Sequence, residues 1–316
     1  MGKKERQRWQ QNDQAVELLK KDGPLSEAEK ELIRRCYSGY GGLYETFGQF
    51  FTPPEVVSFV HQLLGLDTTT TPLDVLEPSA GAGAFLEGLS SSCRVTAYEM
   101  MAEAARVAQI LHPQATVHRT DTLEHLADIE GNFDVVIGNP PFCKLHDPLR
   151  YEGFTISKDK ARKAAEHYFV ELAVRALRPG GMLAMVLPEG ILSNSATSAL
   201  RAWVLDHCWL RAVVSLPPET FVKSGTTVKT SVVVFQKKVE GVDPGDYQIF
   251  MAIAESLGWD SRGRENKAND LEEILQTYRL HHADQSPLNL LGAGTPPCTS
   301  QQDHQAIPGE QLLLAI

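Results

Sequence analysis

The chain has 316 residues, of which 42% are hydrophobic and 22% charged, as is typical of a globular protein with a sizeable core. No apolar run approaches membrane-spanning length, the polar start 1–6 is unlike a signal peptide, and the five cysteines are scattered without metal-binding spacing. A net charge of −10 argues against a protein that grips nucleic acid unaided, because such proteins neutralise phosphates with basic surfaces. These features predict a cytoplasmic protein with reduced thiols, no metal and no membrane contact.

The sequence divides into three parts. Residues 1–44 are predicted to be a helical amino-terminal segment, separate from the rest of the chain, in which Ser26 and Glu29 have the spacing of a capping box. Residues 45–282 are predicted to form one catalytic domain. Residues 283–316 are dominated by Pro, Gly, Gln and Ser, which predicts an irregular tail.

Strands and helices alternate through the second part. The predicted strands are, in chain order, 73–77, 94–98, 116–119, 133–138, 182–187, 210–216 and 226–236, with 247–254 as a candidate for a further strand. The predicted helices are 53–63, 84–89, 102–111, 160–177, 195–205 and 270–278.

This alternation predicts an α/β fold with a doubly wound, mostly parallel seven-stranded sheet covered by helices on both faces. The strand 226–236 follows its predecessor through a loop too short for a crossover helix, which predicts antiparallel pairing. Four polar residues, Glu77, Glu99, Asp121 and Asn139, stand at or just after the carboxyl ends of predicted strands. Ligands of open α/β sheets bind at this edge, so we expect the four to share one site.

The turn after strand 133–138 reads Asn139-Pro140-Pro141-Phe142. It is stiff, because prolines donate no ladder hydrogen bond and hold the preceding residue extended. The side-chain oxygen of Asn139 and the carbonyl of Pro140 could accept both N–H groups of a base amine, turning its lone pair toward a methyl donor. Phe142 would stack on the ring. In isolation, a rigid corner with a core phenylalanine explains the turn equally well.

The loop 77–83 joins a strand to a helix and contains two glycines that allow close approach of a ligand. It is neither a phosphate loop nor a dinucleotide fingerprint, since Leu86 occupies the place of the third glycine. An acidic opening residue suits a cationic ligand such as S-adenosylmethionine. Glu99 would then bind the ribose hydroxyls and Asp121 the adenine amine. Singly, each carboxylate is better explained as a helix cap or solvated charge; together, their order along the strands favours the nucleotide.

These motifs, in this order, resemble those of γ-type N6-adenine DNA methyltransferases, most closely the modification subunit of type I restriction-modification systems, over about residues 45–270. The resembling segments are the methionine-end motif (48–53), the glycine loop (77–83), the ribose motif (98–99), the adenine motif (120–121), the catalytic motif (139–142) and the region after the catalytic half (216–221 and 227–235).

The resemblance implies a Rossmann-like class I methyltransferase fold with S-adenosyl-L-methionine as cofactor. The catalytic residues that it implies are Asn139, Pro140, Pro141 and Phe142. The cofactor-binding residues that it implies are Phe51, Thr52, Glu77, Ser79, Ala80, Gly81, Gly83, Glu99, Met100, Asp121, Thr122 and Asn139.

The chain also departs from the family pattern. Ser79-Ala80 stands where Ala-Cys is common, a change expected to be harmless in a loop lined by backbone. Cys143 follows the catalytic motif and is expected to be a buried, inert thiol. The helical amino-terminal part is shorter than usual, and no target-recognition domain of ordinary size comes after the catalytic half, which predicts a separate specificity subunit. The turn 39–42 resembles methylase domains of phages and mobile elements that accompany helicases.

The expected activity is methyl transfer to N6 of a flipped-out adenine in DNA by a site-specific, adenine-specific DNA-methyltransferase. DNA, a specificity subunit and a restriction or helicase subunit are the expected partners. The candidate DNA contacts are Lys158, Lys160, Arg162 and Lys163, for which a solvated helix start is an equal explanation. Two alternatives stay open: an N-methyltransferase acting on an rRNA base or a protein glutamine, and a non-catalytic subunit of the same fold that binds DNA or a partner.

Overall fold

The structure is a computed structural model that describes residues 3–38 and 51–281, apart from residues 22, 152, 156–163, 244 and 246. The predicted tail 283–316, the turn 39–42, the start of the methionine-end motif (48–50) and the four basic residues between 158 and 163 lie outside the described residues. Within the described ranges, no helix combines the length and the apolarity needed to cross a bilayer.

Eight strands form one sheet in the order β3-β2-β1-β4-β5-β7-β6-β8. They are β1 (Leu73–Glu77), β2 (Cys93–Tyr98), β3 (Thr116–His118), β4 (Phe133–Gly138), β5 (Leu177–Pro188), β6 (Cys208–Ser215), β7 (Thr230–Lys237) and β8 (Phe250–Ile253). The pairs are parallel except the two that β7 makes with β5 and β6. The predicted mostly parallel sheet and its antiparallel strand are confirmed, and the candidate strand near 250 is the eighth member.

Helices cover both faces of this sheet. The α-helices of the described residues are α1 (Lys3–Leu19), α2 (Glu27–Cys36), α3 (Pro54–Leu64), α4 (Ala102–Leu111), α5 (Leu126–Ile129), α6 (Ala165–Ala176), α7 (Glu189–Ser193), α8 (Ser198–His207) and α9 (Leu271–His281), of which α1 and α2 pack on α4. Successive strand residues alternate between two cores: Val75 and Val135 pack with α3 and α9, whereas Leu76 and Val136 pack with α6 and α8. This alternation is the two-residue period of a pleated strand buried on both faces.

The structure differs from the predicted elements in several details. Only a 3₁₀ turn, Ala84–Leu86, replaces the helix predicted at 84–89, because Gly83 and Gly88 adopt left-handed backbone conformations on either side of it. The strand β5 begins at Leu177 and bulges through 179–181, the stretch predicted only to end the preceding helix. An antiparallel hairpin, β9 (Leu257–Trp259) with β10 (Glu265–Asn269), was not predicted.

The amino-terminal helices pack on the catalytic domain. The predicted capping box of Ser26 and Glu29 is present at the start of α2. Ile33 of α2 is fully buried in an apolar cluster with Ala104 and Val107 of α4. The described part of this segment therefore contacts α4 through apolar, buried side chains, and its division from the catalytic domain stays a prediction. The exact boundary at residue 44 stays a prediction.

Replacing Ile33 by Ala tests this packing. The substitution removes buried methyl and methylene groups and leaves a cavity against α4, so we expect it to lower the free energy of unfolding by about 2–4 kcal/mol. Urea denaturation measures this free energy. The control is Leu280→Ala, since Leu280 is 81% exposed and its loss should change the free energy by less than about 0.5 kcal/mol. Equal stabilities of the two variants would contradict the packing.

Candidate active site

A cavity of about 230 Å³ lies at the carboxyl ends of β1, β2, β3 and β4. The predicted residues that line it are Phe51, Thr52, Glu77, Ser79, Ala80, Gly81, Glu99, Met100, Asp121, Thr122, Asn139 and Pro141. Three predicted site residues are not part of the lining: Gly83, Pro140 and Phe142. Pro140 is buried and Phe142 half-buried beside the cavity.

Glu77 ends β1 and is only 1% exposed. Its Oε1 accepts hydrogen bonds from the backbone N–H (3.0 Å) and the hydroxyl (3.4 Å) of Ser79. Burial raises the pKa of Glu77 to about 8, and the neighbouring charge of Glu99 acts in the same direction, while the bonds from Ser79 lower it. A buried carboxyl group at the wall of a cavity would be stabilised in its ionised form by a cationic ligand.

Glu99 follows β2 and holds the glycine loop with its carboxylate. One oxygen accepts from the N–H of Gly81 at 2.9 Å and the other from the N–H of Met101 at 2.7 Å. The N–H of Ala80 donates to the carbonyl of Tyr98, so the loop is also fixed to the end of β2. Each carboxylate oxygen has two lone pairs, which leaves capacity for the hydroxyls of a ribose.

Two glycines give this arrangement its space. Gly83 has a φ of 91°, and a Cβ at this position would lie 2.6 Å from the ring of His112. It therefore shapes the loop without lining the cavity. A Cβ on Gly138, the last residue of β4, would lie 2.6 Å from Oε1 of Glu77. Only glycine at 138 leaves room for the buried carboxylate.

Asp121 caps the 3₁₀ turn Thr122–His125, accepting from the N–H of Leu123 at 3.1 Å. Its other oxygen accepts from the hydroxyl of Tyr151 at 2.6 Å and from the guanidinium of Arg150. Arg150 also pairs with Glu124 at 3.1 Å. Asp121, expected to accept an adenine amine, thus already holds two cavity-lining residues that the sequence analysis missed. No sequence spacing links residues 150 and 151 to position 121.

Asn139, the first residue of the catalytic turn, makes hydrogen bonds through both its side chain and its backbone. Its side-chain Nδ2 donates to the hydroxyl of Thr52 at 3.1 Å, and its backbone carbonyl accepts from the hydroxyl of Ser79 at 3.3 Å. The half-buried Cys143 follows the turn, and burial, helped by the nearby Glu166, raises the pKa of its thiol. The thiol was predicted to be buried but is half-buried and lines the cavity, and its inertness stays a prediction. The turn is therefore hydrogen-bonded to residues that line the same cavity as Glu77 and Glu99.

The fold and the cavity define the class of protein. The chain superposes on a Listeria monocytogenes protein assigned to the class I S-adenosylmethionine-dependent methyltransferases, with a TM-score of 0.62 and 17% identity over 86% of this chain and 90% of that one. It also superposes on the type I restriction-modification methyltransferase subunit of Streptococcus thermophilus, with a TM-score of 0.59 and 22% identity over 82% and 59% of the two chains. These likenesses establish the class I methyltransferase fold.

Residues 43–290 match the N-6 DNA Methylase family, and the chain belongs to this family. The predicted resemblance to N6-adenine methyltransferases of the γ class is thus confirmed. The cofactor is S-adenosylmethionine. The Defense against restriction protein B of Escherichia phage P1 is 31% identical over 74% of this chain and 10% of its own length. Type II methyltransferase M.HincII of Haemophilus influenzae is 25% identical over 74% of this chain and 44% of its own. The chain spans less than half the length of these relatives.

The described residues fit this cofactor. Glu77 offers a buried carboxyl group to a cation, and Glu99 offers acceptors to a ribose. Phe51, Ala84 and Phe85 add apolar wall. Asp121 would receive the adenine amine only together with, or in place of, its present partners Arg150 and Tyr151. The individual cofactor contacts stay predictions.

Replacing Gly138 by Ala should displace Glu77. The new Cβ would stand at 2.6 Å from Oε1, so the carboxylate must move, and we expect at least tenfold weaker S-adenosylmethionine binding by calorimetry, with about 1–3 kcal/mol lost from the free energy of unfolding. Gly190→Ala is the matched control, because a Cβ at 190 meets nothing within 4 Å. Unchanged cofactor affinity in Gly138→Ala would show that Glu77 does not hold the cofactor.

Cofactor binding should release a proton from Glu77. With a pKa of about 8, the carboxyl group is mostly protonated at pH 7 in the free protein, and a cationic ligand favours ionisation. We therefore expect affinity to rise from pH 6 to pH 8 and calorimetric enthalpies at pH 7 to vary with the ionisation enthalpy of the buffer. Glu77→Gln should abolish both effects. A buffer-independent enthalpy in the wild type would refute the prediction.

The stability of the unliganded fold depends on pH in the opposite direction from the cofactor affinity. The pKa of Glu77 in the folded protein lies above its ordinary value of 4.5, so the unliganded fold binds this proton more tightly than the unfolded chain does. The associated stability is fully present below pH 4.5 and is lost as pH rises toward about 8. Raising the pH should therefore lower the contribution of Glu77 to the free energy of unfolding of the unliganded protein. The same change should raise the affinity for the cofactor.

Proposed function

We propose that this chain transfers a methyl group from S-adenosylmethionine to N6 of an adenine in DNA. The proposal is supported above all by one arrangement: the Asn139 turn is hydrogen-bonded to Thr52 and Ser79, which line the cavity that also contains Glu77 and Glu99. An amine-binding turn is thereby joined to a pocket suited to a cationic nucleoside. Membership of the N-6 DNA Methylase family supports DNA as the substrate.

In the proposed reaction the target adenine is flipped out of the duplex, because N6 is inaccessible to a methyl donor inside the stack. Asn139 Oδ1 and the carbonyl of Pro140 accept the two N6 hydrogens and direct the nitrogen lone pair toward the donor. Phe142, half-buried beside the cavity, stacks on the flipped base. The cofactor, when bound, would supply an electrophilic methyl group on its sulfonium and would leave as a neutral thioether, while the methylated nitrogen would lose one proton to solvent. Positioning and exclusion of water, rather than strong acid–base chemistry, are the chain's contribution.

The net charge of −10 favours a DNA-binding partner. A protein that neutralised many phosphates by itself would carry a basic surface, and this sequence carries ten more acidic than basic residues. We propose a specificity subunit that selects the DNA site, as expected of a chain resembling type I modification subunits, and a restriction or helicase subunit as a further partner. We place the protein in the cytoplasm, where DNA and cofactor are available.

Labelled S-adenosylmethionine tests the substrate directly. The wild type and Asn139→Ala are incubated separately with DNA, with a mixture of tRNA and rRNA, and with protein substrates. We expect label only in DNA and a loss of about 10²–10³-fold in Asn139→Ala, because an oriented hydrogen-bonding group at the reacting amine is removed. Label confined to RNA or protein would contradict the assignment of DNA as the substrate and would identify the labelled material as the substrate instead.

Calorimetry and a second variant complete this experiment. A wild type that binds no S-adenosylmethionine would identify the chain as a non-catalytic subunit of the same fold. Phe142→Ala should lower turnover while leaving cofactor affinity within about twofold, since Phe142 does not line the cofactor cavity. A matching loss of cofactor affinity would show that the base site has been misassigned.

A further inference from the structure

The segment Phe51–Thr52 connects two parts of the chain that are far apart in sequence. Thr52 is 8% exposed, and its hydroxyl accepts the hydrogen bond from Nδ2 of Asn139 at 3.1 Å. One residue earlier, the backbone carbonyl of Phe51 accepts from the hydroxyl of Ser224 at 2.9 Å. Ser224 is thus linked to the side chain of Asn139 through two hydrogen bonds and one peptide unit.

In the first of these bonds, the donor end of the Asn139 carboxamide faces Thr52. The side chain of asparagine has a donor end, Nδ2, and an acceptor end, Oδ1, and rotation by half a turn exchanges them. Because Thr52 accepts from Nδ2, Oδ1 diverges from Thr52. A base amine needs an acceptor, so the observed orientation of Asn139 is the productive one, and the hydrogen bond to Thr52 restrains the carboxamide in it.

The second bond comes from a rigid element. Ser224 is the last residue of the 3₁₀ helix Pro218–Ser224, which Gly225 closes in a left-handed conformation. Within this helix Thr220 and Phe221 are fully buried, and Thr220 donates to the carbonyl of Pro217 at 2.6 Å. A hydroxyl on such an element holds its acceptor more firmly than one on a mobile loop would.

We propose that Ser224 is a positioning residue for Asn139, acting through the Phe51–Thr52 segment. The inference rests on the proposed function, since it assigns Asn139 the binding of the target amine. It also gives a role to the proline turn at 216–221 and the residues after it, which no step of the proposed reaction otherwise uses. Loss of the Ser224 hydroxyl releases the carbonyl of Phe51, lets Thr52 move and frees the Asn139 carboxamide to rotate.

The kinetic test uses Ser224→Ala in the full chain. We expect kcat for DNA methylation to fall about five- to tenfold, the usual size of one lost hydrogen bond, and Ser224→Thr, which keeps the hydroxyl, to stay within about twofold of wild type. The matched control is Ser90→Ala, because Ser90 also donates its hydroxyl to a backbone carbonyl, that of Thr69, at 2.6 Å but away from the cavity. Equal rates for Ser224→Ala and the control would overturn the proposal.

A double-mutant cycle tests the route. Thr52→Val removes the acceptor for Nδ2 of Asn139, so adding Ser224→Ala to it should cause no further loss of kcat. Independent, multiplicative losses in the double variant would show that Ser224 does not act through Thr52.

A third measurement needs neither cofactor nor DNA. The side-chain amide of Asn139, identified by its absence in Asn139→Ala, is observed by ¹⁵N nuclear magnetic resonance. We expect its signal to shift or broaden in Ser224→Ala and to be unchanged in Ser90→Ala. An unchanged signal in Ser224→Ala refutes the positioning role even if the wild type methylates DNA. A wild type inactive on DNA refutes the proposed function, and the amide signal still decides the role of Ser224.

Discussion

The burial of Glu77 is the constraint on which the rest of the site depends. A carboxyl group removed from water is costly unless it is neutralised or paired, and Glu77 meets this cost by holding its proton to about pH 8 and by accepting two hydrogen bonds from Ser79. Its space exists because Gly138, on the adjacent strand β4, has no side chain. In the proposed site, a positively charged ligand would pair with this carboxylate. Its affinity would then depend on the position of Glu77 at the end of β1.

The sheet could be predicted because its signals are local. Apolar β-branched runs, glycines and prolines mark the strands, and strands separated by helices leave few possible topologies. The errors fall where distant contacts decide. The bulge of β5 through Gly181 depends on its approach to Asp134 of β4, and the packing of Ile33 depends on the surface of α4. Neither contact has a signature in the neighbouring sequence.

The same distinction holds within the site. Glu77, Glu99, Asp121 and Asn139 were predicted together because parallel strands bring their carboxyl ends to one edge, and all four line the cavity. Arg150 was missed because it reaches Asp121 from a short 3₁₀ turn, Pro148–Arg150, that lies outside the pattern of strand ends. Its guanidinium and the Tyr151 hydroxyl occupy the oxygen that an adenine amine would use. Position along a strand predicts which residues meet; it does not predict which partner each one takes.

Ser79 shows how a small departure from a family pattern acquires a role. A serine in place of the common alanine was expected to be harmless in a loop lined by backbone. In the structure its hydroxyl lies 3.4 Å from Oε1 of Glu77 and 3.3 Å from the carbonyl of Asn139. One hydroxyl has one proton, so it can donate fully to only one of these acceptors at a time. Ionisation of Glu77 would make its oxygen the stronger acceptor and would draw that proton away from the carbonyl of Asn139. The charge of Glu77 would then be linked, through a single side chain, to the turn that is proposed to bind the base.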